Sequence, residues 1–171
     1  MREAAQKILD EMMAAADTRL TVFDVHIEGG EGSGLRLGGR VLEAAQLQAL
    51  NAKIGQGLPE AQIDASAVRV LDGPELPCMH VATNLTGLYE QPGFSGPLAS
   101  ELPFGTTLQI LEEEGSWVRV RQQDGYLGWA YKPYLANGQG RDPTHLVLAP
   151  SIELWNQPGL HGSIVTRLVS G

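Results

Sequence analysis

Residues 88–105 read LYEQPGFSGPLASELPFG, and residues 154–171 read LWNQPGLHGSIVTRLVSG. At an offset of 66, Leu88, Gln91, Pro92, Gly93, Gly96, Leu102 and Gly105 recur as Leu154, Gln157, Pro158, Gly159, Gly162, Leu168 and Gly171. An aromatic follows the first leucine each time, Tyr89 and then Trp155. A duplicated stretch of this kind marks a repeated fold unit. The first repeat runs on to Tyr134-Leu135 with strand-like patterning, whereas the second stops at Gly171. A fold unit cut that early cannot bury its own core. The sequence therefore predicts a longer parent protein and an incomplete second unit over 144–171.

The 21 Gly and 10 Pro among 171 residues favour strands and turns. A net charge of −8 argues against a nucleic-acid partner, because phosphate binding needs clustered Lys and Arg. No run approaches the roughly 18 apolar residues of a membrane span. The opening MREAAQKILDEMMAAAD has no apolar core of a signal peptide, so the chain as written reads as cytoplasmic. It reads as cell-envelope if a leader has been removed. One Cys excludes an intrachain disulfide framework.

Residues 2–17 carry Ala5, Ile8, Leu9, Met12 and Ala16 at helical spacing. Phe23, Val25 and Ile27 then alternate with charged residues, GGEGSG (29–34) reads as a hairpin turn, and Leu35, Leu37 and Val41 form a second strand. Glu43–Ile54 is helical, and Ser66–Leu71 reads as a third strand. The order α-β-β-α-β predicts a small α+β domain over 1–72. GPELP (73–77) is a linker. Beyond it, Thr107–Leu111, Trp117–Arg121 and Tyr126–Ala130 read as strands joined by EEEG and QQDG turns. Tyr131–Leu135 reads as a terminating turn in which Pro133 forbids further sheet pairing. Short strands so closely spaced suggest a small all-β barrel over 78–136. A linker follows over 137–143, NGQGRDP.

Candidate chemistry is sparse. Cys78 and His80 share one side of an extended segment, but Cys78 sits in a Pro-flanked linker with no helix to lower its pKa. His26, His80, His145 and His161 are too scattered for a metal cluster, and no metal or other cofactor is expected. GGEGSG lacks the Lys-Ser/Thr ending of a phosphate loop. The run Glu112–Glu114 reads as a solvated turn. Trp117, Tyr126, Trp129, Tyr131 and Tyr134 form a dense aromatic set, expected mostly in the core, with one or two rings lining a surface groove. No catalytic constellation assembles.

Gly-Ser-Trp-Val-Arg-Val (115–120), Asp-Gly-Tyr-Leu-Gly-Trp (124–129) and the closing Tyr134-Leu135 resemble a bacterial SH3-like domain over about residues 79–136, resuming at 144–171. Ser100-Glu101-Leu102 before Phe104-Gly105 is similar to the SH3-like region of NlpC-type cysteine peptidases, gamma-D-glutamyl-L-diamino-acid endopeptidases of the cell wall. In that family two SH3-like domains precede the catalytic domain. The family's Asp-Cys-Ser-Gly motif is absent, so this chain is expected to be non-catalytic, with a catalytic domain beyond Gly171 and murein peptide (peptidoglycan) as ligand. The resemblance implies that Glu101 and Tyr126 bind the peptide's free amino terminus. Arg167 stands in the second repeat where Glu101 stands in the first. Leu-Arg-Leu-Gly-Gly-Arg-Val (35–41) makes the first domain resemble a BON-type domain. Alternatives are a stand-alone cell-wall or protein-binding module, or a scaffold whose BON-like domain contacts lipid or protein. Apolar residues in the 144–171 tail also predict self-association.

Overall fold

A computed structural model describes residues 1–30, 32, 34–141, 144–159 and 161–170. The chain divides into two compact units, Met1–Pro74 and Glu75–Gly171.

The first unit runs α1 (Arg2–Ala15), β1 (Phe23–Gly29), β2 (Gly34–Val41), α2 (Ala44–Gly57) and β3 (Gln62–Val70), the expected α-β-β-α-β order. The sheet order is β1-β2-β3, with β1 antiparallel and β3 parallel to β2. Ala5 and Leu9 of α1 and Leu50 and Ile54 of α2 meet Val25, Ile27, Leu35, Leu37, Val41 and Val68 of the sheet in one core. Asp24, His26 and Glu28 alternate with these and face outward, as strand periodicity requires. On that face Arg40 pairs with Asp24 at 3.3 Å. The β1–β2 hairpin is present, although Glu31 and Ser33 of the expected turn lie outside the described residues.

The third strand begins at Gln62, four residues before the expected start at Ser66. A register shift sets Arg36 opposite Asp64 but Gly38 opposite Ala67. The extra residue breaks the two-residue alternation, so Ile63 and Ala65 pack inward before the shift and Val68 after it.

In the second unit, β4 (Cys78–Val81), β5 (Leu85–Tyr89), β6 (Leu98–Pro103), β7 (Thr107–Glu114), β8 (Trp117–Arg121), β9 (Leu127–Tyr131) and β10 (Leu135–Asn137) form one sheet in the order β10-β4-β7-β8-β9-β5-β6. Every strand contributes to a single aliphatic core of Met79, Val81, Leu88, Leu102, Leu108, Ile110, Val118, Val120, Ala130 and Leu135. A seven-stranded sheet that feeds one core must curl around it, which is the SH3-like barrel arrangement.

Three expectations need correction here. Cys78 lies in strand β4, which pairs with both β7 and β10, and is not part of a linker. Glu112–Glu114 belong to strand β7; the turn is Gly115-Ser116. The acidic run is tolerated in a strand because two of its three charges are matched and Glu114 is exposed to solvent. Glu112 is paired with Arg119 at 3.4 Å, and Glu113 with Lys132 at 2.6 Å. Pro133 does not end sheet pairing. It sits in a 3-10 turn, Lys132–Tyr134, near whose start no backbone N–H is required. The chain re-enters the sheet at Leu135, opposite Val81.

The duplication survives into three dimensions. Strands β11 (Ser151–Trp155) and β12 (Ile164–Val169) repeat β5 and β6 at the offset of 66. Leu85 faces Pro103 as Ser151 faces Val169, Gly87 faces Glu101 as Glu153 faces Arg167, and the register shift before Tyr89 recurs before Trp155. Gly93 and Gly159 both have positive φ, 140° and 99°. The side chains fare differently. Leu88 is 0 % exposed, whereas Leu154 is 38 % exposed.

Candidate functional site: an aromatic face on the barrel

The barrel's aliphatic core cluster contains no aromatic ring among the described residues; Trp129 is buried outside that cluster. In β8, Val118 and Val120 point inward, so Trp117 shares the outer face with Arg119 and Arg121. Tyr131 is directly opposite Trp117 across the β8–β9 pair. Tyr89 ends β5, and its neighbour Leu88 points inward. Tyr134 closes the 3-10 turn and is 42 % exposed. These four rings bring strand ends distant in sequence to one face.

Phe94, from the loop between β5 and β6, completes the cluster and is 56 % exposed. Its ring centroid lies 4.9 Å from Trp117, 5.0 Å from Tyr131, 5.9 Å from Tyr89 and 6.5 Å from Tyr134. Beneath it, Tyr89 meets Trp117 edge-on at 5.6 Å, Trp117 meets Tyr131 at 5.3 Å, and Tyr131 meets Tyr134 at 5.0 Å. Such edge-to-face contacts each stabilise by about 0.5–1.5 kcal/mol beyond simple burial, so the rings hold one another in place. The expectation that these aromatics serve mainly as core is overturned: only Trp129, beneath the Arg119 guanidinium at 5.9 Å, is buried, while Trp117, Tyr126 and Tyr131 are half-buried and Tyr134 is exposed. Sequence periodicity could have found this, because Trp117 falls in phase with Arg119 and Arg121, not with the two valines.

The face has an acidic border. Exposed Glu90 follows Tyr89, and exposed Glu114 is the cross-strand partner of Trp117. The Lys132 ammonium donates to Glu113 at 2.6 Å beside Tyr131. Glu101 is exposed on β6 opposite Gly87. A Cβ at Gly87 would lie 2.6 Å from the Tyr89 ring, so that ring folds back toward the row that holds Glu101. Tyr126 is half-buried in the turn before β9; its backbone N–H donates to Asp124 Oδ1 at 3.0 Å, and its carbonyl accepts from Gln122 at 2.9 Å. Among the described residues, no hydrogen bond joins Glu101 to Tyr126.

Cys78 and His80 are engaged elsewhere. The Cys78 thiol donates to the Leu76 carbonyl at 3.9 Å, and His80 Nδ1 lies 3.2 Å from the Gly138 carbonyl. Among the described residues, no group of three or more His, Cys, Asp or Glu is placed to hold a metal ion. No described helix is long and apolar enough to cross a membrane.

Residues 84–136 match the family of bacterial SH3 domains, a span that takes in all five rings of the face. No curated protein matches the chain.

Proposed function

We propose that the bacterial SH3 domain over 84–136 recognises murein peptide through its aromatic face. The observation that carries this reading is the row of Tyr89, Trp117, Tyr131 and Tyr134 on the outer face of the barrel, capped by exposed Phe94, outside an aliphatic core cluster. Exposed aromatic area is a cost unless a ligand uses it. Aromatic faces receive methylene stems and attract ammonium groups, and the carboxylates of Glu90 and Glu114 border them. A murein peptide offers both, in its diamino acid and at its amino terminus. Glu101 and Tyr126 are proposed to bind that terminus, the carboxylate as a charge-assisted acceptor and the phenol as a further partner.

The wider reading is that the chain is the non-catalytic region of an NlpC-type murein-peptide cysteine peptidase. The second hairpin supports it, since the resemblance associates paired SH3-like units with such enzymes. That region, with a first unit read as BON-like, would serve substrate recognition and domain assembly. A stand-alone cell-wall module is the second reading, favoured by one fact: the aromatic face is complete within residues 89–134.

Calorimetric titration with the murein tripeptide L-alanyl-gamma-D-glutamyl-diaminopimelate tests the proposal. Binding should weaken at least tenfold in Trp117→Ala, about 1.4 kcal/mol. Glu101→Gln should weaken binding of the free peptide while leaving its N-acetylated form unaffected. The chain alone should not cleave the peptide, with or without Cys78→Ala. Absence of binding, or equal binding by Trp117→Ala, would refute the recognition role.

A further inference from the structure

The two hairpins differ most in the loop that joins their strands. Each loop has the same neck: Glu90 N–H donates to the Pro97 carbonyl at 3.0 Å, and Asn156 N–H to the Ser163 carbonyl at 3.1 Å. Each also folds glycine onto glutamine, with Gly96 over the Gln91 carbonyl and Gly162 over the Gln157 carbonyl. Beyond that, the second loop is tied by side chains. Ser163 N–H donates to Asn156 Oδ1 at 3.0 Å, and Gln157 Nε2 donates to the His161 carbonyl at 2.9 Å.

The first of those ties cannot form in the first loop, and the second, whose donor is kept as Gln91, is not made there among the described residues. Pro97 replaces Ser163 and has no N–H, and Glu90 replaces Asn156. What holds the first loop down is the Phe94 ring on Tyr89, Trp117, Tyr131 and Tyr134. That anchor is apolar and half-exposed, and its release breaks no side-chain hydrogen bond of the kind that ties the second loop.

We propose that Phe94 is an in-cis plug: the 91–97 loop seats its ring in the four-ring cradle, and a ligand must displace that ring to bind there. This rests on the reading of the aromatic face as the murein-peptide site. The exchange is balanced, because the ligand's apolar stem takes over the ring contacts that Phe94 gives up. The neck and the positive φ of Gly93 let the loop swing while β5 and β6 stay paired. A site plugged nine-tenths of the time has its apparent affinity lowered about tenfold.

The test compares the whole chain with Phe94→Ala and Phe94→Leu, the latter placing at 94 the residue found at 160 in the second repeat. The probe is the same murein tripeptide, followed by calorimetry. Both variants should bind about tenfold more tightly than the unsubstituted chain. Saturating peptide should abolish the nuclear Overhauser contact between the Phe94 and Trp117 rings and preserve that between Trp117 and Tyr131. Equal or weaker binding by both variants, or peptide bound with the Phe94–Trp117 contact intact, overturns the plug and leaves the recognition role standing. Peptide bound by none of the three proteins overturns the recognition role itself, and the plug with it.

Discussion

Gly128→Ala should destabilise the barrel through one contact, and a double-mutant cycle with Leu88 can isolate it. A Cβ at position 128 would lie 2.4 Å from Leu88 Cγ, 2.8 Å from Cδ1 and 3.0 Å from Cδ2. Ordinary carbon contacts run about 3.5–4.0 Å, so the overlap is about 1 Å. Leu88 has nowhere to go, being fully buried in a cluster with Leu102, Val118 and Ala130. Overpacking of this kind costs about 1–3 kcal/mol. A stiffer unfolded chain returns about 0.4–1 kcal/mol of that, for a net loss of up to about 2.6 kcal/mol. Leu88→Ala alone should cost about 2–5 kcal/mol through the cavity it leaves. In the double variant the new methyl enters that cavity, so the combined loss should fall short of the sum by at least about 1 kcal/mol. Urea unfolding followed by tryptophan fluorescence is the assay. All three tryptophans lie at or beyond residue 117, so the signal reports the second unit and not the first. Losses that add to within about 0.5 kcal/mol would mean that the two positions do not meet, and would refute this account of why glycine stands before Trp129.

The same cavity argument gives a smaller effect in the second repeat: Leu154→Ala should cost less than about 1 kcal/mol in the same unfolding assay, because its side chain is 38 % exposed where Leu88 is buried. The exposed Ile152, Leu154 and Ile164 of that hairpin should make the chain self-associate; light scattering should show dimers or larger species, and removal of residues 144–171 should leave a monomer. In the first unit, the Arg19 side chain and backbone N–H both donate to Asp17 and hold its carboxyl at about 2, below the ordinary 3.8. The shift is downward, so the contact's contribution is present above the ordinary value and is lost as pH falls through about 2; a carbon-detected NMR titration should find that midpoint, and Arg19→Ala should raise it.

Where the sequence alternates cleanly, the fold was legible in it. Phe23–Ile27 and Trp117–Arg121 announce their strands by period two, and the first unit's element order follows from such segments. The failures share a physical cause. Strand β3 hides its first half behind a register shift, and β4 is four residues long between a Pro-rich segment and a loop, too short for a period to register. Residues Glu112–Glu114 look like a turn because the partners that neutralise Glu112 and Glu113, Arg119 and Lys132, arrive only through strand pairing. The aromatic face was half legible. Composition showed that the rings were numerous, but Tyr89 and Phe94 lie far from the other three in sequence, and only the pairing of Tyr89 with Trp129 brings them together.

The duplicated hairpin separates what a fold needs from what a site needs. The residues shared at the offset of 66 are those that shape the hairpin: Leu88 and Leu154, Leu102 and Leu168 on the inner face, and Gly93 and Gly159, Gly96 and Gly162 in the loop. Those on the outer side diverge. Tyr89 becomes Trp155, Phe94 becomes Leu160, and Glu101 becomes Arg167. Gly87, whose missing side chain lets the Tyr89 ring fold back, becomes Glu153, which fills that place and pairs with Arg167 at 3.2 Å. A ring at 155 therefore cannot lie over position 153 as Tyr89 lies over Gly87, and a cation stands where the first repeat offers a carboxylate. The second hairpin keeps the scaffold of the first but does not present the same surface, so on the proposed reading an ammonium-bearing ligand would be recognised by the first repeat alone.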